Sequence, residues 1–535
     1  MARFDFSFGD MAYHQEAFNN LQTAAKRTGR LCASVMDTRG PEIVVLNRTP
    51  EPIALTAGQT ITLTCDASAA ATSSVLPISY PSLSDAGLQA GRNIFVGQYL
   101  FSGSETTSAY LTVQSVAADG RSVACTVANS CVLEGVQLTA HFGNMANQAP
   151  ILSQHDKDAL SKFGVPNAID FVALSFTRCA ADVAEARAFL ESAGLGAAKI
   201  IAKIENKEGL VNYPEIVAAA DAIMLSRGSM GNCLDPEKMF IAQKMLLAEC
   251  NYAGRPVFVT RVVDTMTDAP RPTRAEATDV ANLVLDGADG IVLGSETFRG
   301  KFPVAAAETV VAIARQAEHC YDSYRYYQYV TDRMGLNSLD AIMHDKTEAL
   351  ATAAVRAATK LRAALIIVFT VTGRTARLIA KYRPGQPILT IVMPAGWTPC
   401  KPLASADDHT GSSGGAAGAS SGDARSVARQ CLQYRGVLPA VAEAAAGSGS
   451  GAATDALHEA LRVARERGLT RPGDRVVVSQ CPRVEQKFAA TMLERGVVKI
   501  LTLAADGATT RVAAAVLDAA GHVVGSVDQD EGDLV

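Results

Sequence analysis

The stretch Lys199–Gly231, KIIAKIENKEGLVNYPEIVAAADAIMLSRGSMG, constrains this chain more than any other. It reads as strand, loop, helix, strand, loop. Side chains alternate along a strand, so Ile200, Ala202 and Ile204 share one face, and Lys203 and Glu205 share the other. Charges on a parallel strand are costly unless they reach a polar mouth. Two readings satisfy that condition. A Lys and a Glu at one strand end can hold a phosphoryl group and a divalent cation, or they can form a structural ion pair. The second apolar strand, AIMLSRG, ends in a glycine-spaced loop.

Composition bounds the rest. The 535 residues imply three or four domains, and 48% hydrophobic content suffices for large cores. A net charge of −5 gives no reason to expect nucleic acid as a partner. Eleven cysteines, an odd number without a C-x-x-C pair, fit free thiols in a reducing compartment. No apolar run reaches the roughly 18 residues of a membrane span. MARFDFSFGD lacks a signal peptide's charged and apolar regions. These features predict a soluble cytoplasmic protein without membrane partners.

KIENKEG, LSRGSMG and RPTRAEATDVANLVLDGADGIVLGSETFRGKFP together resemble pyruvate kinase, with the likeness running from Met1 to about Val498. The resemblance implies an α/β fold: a TIM-type (β/α)8 barrel, an inserted small β-barrel lid and a C-terminal α/β domain. Barrel segments fall at 1–44 and 144–335, the lid at 45–143 and the C-terminal domain at 336–500. Low-complexity segments at 405–424 and 444–455 read as flexible insertions, and 501–535 as a tail of unknown fold. Seven barrel strands are recognisable, near 2–7, 31–37, 171–175, 199–205, 222–227, 256–260 and 290–293. The family's leading segment and first strand have no counterpart before Met1. That implies a truncated start or another segment filling the gap, since a barrel short of a strand should not close.

The resemblance assigns roles residue by residue. Arg3 contacts the transferring phosphate, Lys203 stabilises its charge, and Thr260 falls on a catalytic threonine. Ser175, Arg227 and Gly228 bind substrate. Glu205 ligates Mg²⁺ or Mn²⁺, and Asp5, Ser7, Asp37 and Thr38 ligate K⁺, with Glu42 matching potassium-dependent members. Arg39 stands where a nucleotide-contacting lysine is expected. Departures are concentrated here. Ser229 replaces the second metal carboxylate, Val44 replaces an arginine, Asn232-Cys233 replaces Val-Glu, and Phe8 replaces a histidine. The lid turns Ser102-Gly103-Ser104-Glu105 and Leu133-Glu134-Gly135-Val136 lack the family's charges.

Beyond Lys346 a helix, the strand ALIIVFT and the helix TARLIAKY enclose the loop TVTGRT. Thr370, Thr372, Gly373, Arg374 and Thr375 there suit a phosphate at a helix N-terminus, or a plain strand–helix turn. The resemblance implies a sugar-bisphosphate effector, although Cys481–Lys487 lacks the partner loop's glycines. The implied function is phosphoryl transfer from phosphoenolpyruvate to ADP, giving pyruvate and ATP, in a homo- or hetero-tetramer. The alternative is a catalytically impaired regulatory or ligand-binding subunit of a mixed oligomer.

Overall fold

The structure of the protein is a computed structural model. It describes residues 1–47, 51–80, 83, 88–97, 107–134, 137–142, 147–231, 233–334, 346–394, 423–442, 452–480, 497–503, 510–517 and 523–529. The lid turns at 102–105 and 135–136, Asn232, the loop 481–487 and most of both low-complexity segments lie outside these residues.

Seven parallel strands stand side by side in chain order: Ala2–Asp5, Ser34–Asp37, Phe171–Leu174, Lys199–Ile204, Ala222–Leu225, Val257–Thr260 and Gly290–Val292. Continuous apolar runs suit strands covered on both faces. Ile200, Ile223 and Val259 pack outward on helices such as Ala180–Ser192 and Pro236–Ala253. Val35, Phe171, Ile201, Met224 and Phe258 form a separate inner cluster. Among the described residues the two outer strands, Ala2–Asp5 and Gly290–Val292, have no further partner, so the curled sheet stays open. A cavity of about 720 Å³ lies there, lined by Ala2, Phe4, Val35, Phe258, Ile291 and Leu293 among others. The edge leaves backbone groups unpaired, and Gly290–Val292 is correspondingly half-exposed where Ala222–Leu225 is buried throughout.

An aspartate immediately precedes alternate barrel strands in DFVAL, DAIML and DGIVL. Each carboxylate accepts an N–H from the first two residues of the preceding strand. Asp170 takes Ser34 N–H at 2.9 Å, Asp221 takes Ile200 N–H at 3.0 Å and Asp289 takes Val257 N–H at 3.1 Å. An arginine completes each site. Arg187 reaches Asp221 from within the barrel at 3.1 Å, whereas Arg429 (2.9 Å) and Arg383 (2.6 and 2.7 Å) reach Asp170 and Asp289 from the C-terminal domain. These carboxylates thus fix strand register and seat the second domain on the barrel floor.

The lid arises from short alternating strands, including Thr60–Thr64, Asn93–Gly97, Ser108–Val116 and Ser122–Val127. Seven of them form one sheet, and a Val45–Ile78 bridge joins its two ends into a small barrel. Leu63, Ile94, Leu111 and Leu138 fill its centre. The C-terminal sheet begins with parallel strands Leu365–Thr370, Ile388–Val392, Val437–Val441 and Arg475–Gln480. It then continues antiparallel through Val497–Leu503, Thr510–Leu517 and Val523–Gln529. The stretch after 501, read from sequence only as a tail, therefore extends this sheet. Helices at Ala424–Cys431 and Ala452–Glu466 begin inside the segments read as low-complexity insertions.

Removing Asp289 leaves the almost fully buried Arg383 guanidinium without its carboxylate. Asp289→Ala is expected to destabilise the protein by about 3–5 kcal/mol. Lys238→Ala, which breaks a solvent-exposed pair with Asp235, should leave stability nearly unchanged. Urea unfolding midpoints of the two variants provide the comparison.

Candidate active site

Four strand ends converge on one buried carboxylate. Asp37 closes the Ser34–Asp37 strand and is inaccessible to solvent. Its Oδ2 accepts Arg3 Nη1 at 2.7 Å, and its Oδ1 accepts Lys203 Nζ at 2.9 Å and Ser175 Oγ at 3.2 Å. Lys203 also donates to Ser175 Oγ at 2.8 Å and lies 3.7 Å from Glu205 Oε1. The alternation read from KIIAKIE is realised: Lys203 and Glu205 face the same cleft. Arg3, Asp5, Ser7, Arg39, Glu42, Ser175, Thr260 and Ser229 share that cleft with them.

Burial opposes every one of these charges, and the partners decide the outcome. At Asp37, burial is outweighed by Lys203 and Arg3, which hold the carboxyl below its usual range. At Lys203, burial is outweighed by Asp37, Glu205 and Asp5, which hold the ammonium above its usual range. Glu42 behaves oppositely. Burial, reinforced by Glu205 and Asp5, pushes its carboxyl up to about 8 despite Arg39 and Lys203. Isolated, it is kept neutral at pH 7; an added cation would favour its ionised form.

Glu205 is oriented from two sides. Phe176 N–H donates to Oε2 at 2.8 Å, and Ser229 Oγ donates to Oε1 at 3.3 Å. Phe176 has a φ of 55°, a left-handed conformation that bulky residues seldom adopt. Across the cleft, Arg261 has a φ of 62° and donates to Asp264 at 2.9 Å. No sequence signal marked the conformation of Phe176 or of Arg261.

The remaining assignments separate. Asp5 Oδ1 accepts Ser7 N–H at 3.1 Å, and Asp5 lies 3.6 Å from Arg3. Thr38 is turned inward, its hydroxyl donating to Ala173 O at 3.2 Å and accepting Ser175 N–H at 3.1 Å. Arg227 and Gly228 do not line the cleft. The Arg227 guanidinium instead grips Asp279 at 2.6 and 3.0 Å and donates to the carbonyls of Thr260 (2.9 Å) and Arg261. Its charge is committed to Asp279, and it holds the Thr260–Arg261 backbone that faces the cleft.

In the C-terminal domain, Thr370–Thr375 joins a strand to the Arg374–Lys381 helix. Gly373 caps it with φ at 81°, and its N–H donates to Thr370 Oγ1 at 3.0 Å. Thr372 and Arg374 are exposed, whereas Thr370 and Thr375 are buried.

Known proteins share this architecture. Residues 1–307 match the family described as pyruvate kinase, barrel domain, and residues 348–494 match pyruvate kinase, alpha/beta domain. The protein named pyruvate kinase 2, cytosolic, of Oryza sativa subsp. indica is 45% identical over 497 residues, covering 92% of this chain and 89% of the relative. The cytosolic isozyme of Glycine max is 38% identical over 480 residues, covering 89% and 87%. A crystal structure of a pyruvate kinase from Cryptosporidium parvum superposes with a TM-score of 0.75 at 31% identity, covering 94% of this chain and 90% of its own. A second structure of the Cryptosporidium parvum enzyme, in complex with ADP, gives 0.72 at the same identity and coverage. These matches do not favour an inactive regulatory subunit; the chain belongs to the pyruvate kinase family of phosphotransferases.

Proposed function

We propose that this cleft transfers the phosphoryl group of phosphoenolpyruvate to ADP. The observation that carries the reading is Lys203, a buried ammonium held by Asp37 and Ser175 beside Arg3 and Glu205. Phosphoryl transfer gains most from fixed charges aimed at the transferring oxygens. Lys203 and Arg3 supply such charges without needing to reorganise. The bond from phosphorus to the enol oxygen breaks as one to a β-phosphate oxygen of ADP forms. The enolate left behind takes a proton at carbon to become pyruvate. Thr260, a hydroxyl lining the cleft, is positioned to assist that proton transfer. A coupled assay of pyruvate release should show turnover, and Lys203→Ala should reduce it at least about 100-fold. Equal rates in the two proteins would refute the reading.

The donor set fits a divalent cation held lightly. Glu205 offers one carboxylate and Ser229 a hydroxyl beside it. Mg²⁺ is commonly bound through one or two carboxylates, retaining water and substrate oxygens. When bound, it would offset charge on the transferring phosphoryl. Asp5, Ser7 and Asp37 cluster around Arg3 and suit K⁺ at the same mouth. Ser229→Asp, which adds a second carboxylate, should tighten Mn²⁺ binding about tenfold or more. Titration of Mn²⁺ into both proteins, with and without phosphoenolpyruvate, measures this, and identical affinities would show that Ser229 does not limit the site.

The Thr370–Thr375 loop is read as an anion site for a sugar bisphosphate, supported by its hydroxyls at the start of an eight-residue helix. Arg374→Ala should weaken fructose bisphosphate binding severalfold; unchanged affinity removes the assignment. Assembly into a tetramer, of identical or mixed subunits, is supported by exposed Phe240, Ile241 and Met245 on one helix. Light scattering tests it. A cytoplasmic location draws support from relatives named cytosolic. Among the described residues no helix is long and apolar enough to cross a membrane.

A further inference from the structure

We propose that Asp156 is a positioning residue for the nucleotide end of the cleft, acting through the Arg39–Gly40 backbone. The proposal rests on the kinase reading only in taking ADP as the ligand.

Asp156 stands in the first turn of the Gln154–Ala159 helix, as the acidic member of a capping box with Ser153. A cap needs only one of its oxygens. Oδ2 serves it, accepting Ser153 N–H at 3.0 Å and Ser153 Oγ at 2.6 Å. The carboxylate is nevertheless wholly buried and reaches more than a hundred residues back along the chain. Oδ1 accepts Arg39 N–H at 2.8 Å, and Oδ2 also accepts Gly40 N–H at 3.0 Å. Two successive amides aimed at one carboxylate fix both the position and the tilt of the loop between them.

That loop has little freedom to move without disturbing the cleft. Gly40 has φ at 66°, and a Cβ there would meet Ser175 O at 2.8 Å. The loop therefore lies flat on Ser175, whose Oγ stands 2.6 Å from Thr38 O and accepts Lys203 Nζ. Arg39 itself lines the cleft. Shortly downstream the chain leaves the barrel for the lid in strand Val44–Leu46. The returning chain is held separately. Arg178, paired with Asp182 at 2.8 Å, donates to Ala149 O at 3.0 Å, and Asn147 Nδ2 donates to Pro41 O at 2.6 Å. Asp156 is thus the barrel's grip on the outgoing root of the lid. It sets where the Arg39 guanidinium stands relative to Lys203.

The competing account makes Asp156 a helix cap and nothing more, and three variants separate the two. Asp156→Asn keeps the volume but places an NH₂ group among N–H donors. Ser153→Ala strips the cap hydroxyl and leaves Arg39 and Gly40 their acceptor. Gly40→Ala drives the same loop off Ser175 with the cap intact. Calorimetric titration of Mg–ADP should show binding weakened about tenfold in Asp156→Asn and in Gly40→Ala, the weight of one charge-assisted hydrogen bond. Ser153→Ala should bind within about twofold of the unaltered protein. Phosphoenolpyruvate affinity should be unchanged in Asp156→Asn and Ser153→Ala. Unweakened ADP binding in Asp156→Asn, or equal weakening in Ser153→Ala, overturns the proposal; should Asp156→Asn not fold, Gly40→Ala decides alone. Turnover is read separately. ADP binding without turnover in the unaltered protein counts against the kinase reading and leaves this one standing, whereas no ADP binding overturns both.

Discussion

The Asp37 carboxylate is the constraint on which the cleft depends. A carboxylate fully removed from water is costly unless its lone pairs are matched. Here two cations and a hydroxyl match them, each supplied by a different strand end. The attraction that keeps Asp37 ionised also holds Arg3 and Lys203 at fixed positions lining the cleft. Buried ion pairs often add little to stability. Their value in this molecule is placement, because the charges that would stabilise a transferring phosphoryl are already oriented by the fold.

The two ends of the barrel use aspartate for different purposes. At the floor, Asp170, Asp221 and Asp289 each close a strand ladder and also meet an arginine. The floor is therefore electrically satisfied and joined to a second domain. At the mouth, Asp5, Glu42 and Glu205 face one cleft together with Arg3, Arg39 and Lys203. Burial and the neighbouring carboxylates push the Glu42 carboxyl up to about 8, so a cation arriving at the mouth would favour its ionised form. The contrast follows the general rule that parallel strands present chemistry at their C-terminal ends and stability at the other.

Much of this was legible because periodicity constrains strands strongly. Lys203 and Glu205, two apart in an apolar run, could share a face only at a polar mouth, and all seven barrel strands fell close to their expected positions. Capping boxes at Ser153 and Thr273 follow a local pattern too, a hydroxyl three residues before an acid. What stayed hidden depends on contacts distant in sequence. The cap motif announced one oxygen of Asp156, but nothing local announced that the other reaches Arg39. Arg227 stood at a motif position for substrate, yet Asp279, fifty-two residues on, captures its guanidinium. Alternation in TRVAAAVL is weak because alanine carries little polarity contrast, so the strand at Thr510–Leu517 was not distinguished from a tail.

The two left-handed residues flanking the cleft show how placement is maintained against local preference. A non-glycine residue in that region costs about 1–2 kcal/mol. At Phe176 the backbone turn directs the amide onto Glu205 at 2.8 Å, and a hydrogen bond to a charged acceptor returns about 1.5–3 kcal/mol. The strain is thereby offset within the site itself. Arg261 is held differently: its carbonyl accepts from Arg227, and its side chain pairs with Asp264. Arg227 is therefore the group that stabilises the strained turn beside Thr260. A guanidinium that grips one carboxylate and two successive carbonyls keeps the Thr260 hydroxyl in the cleft more rigidly than the strand end could alone.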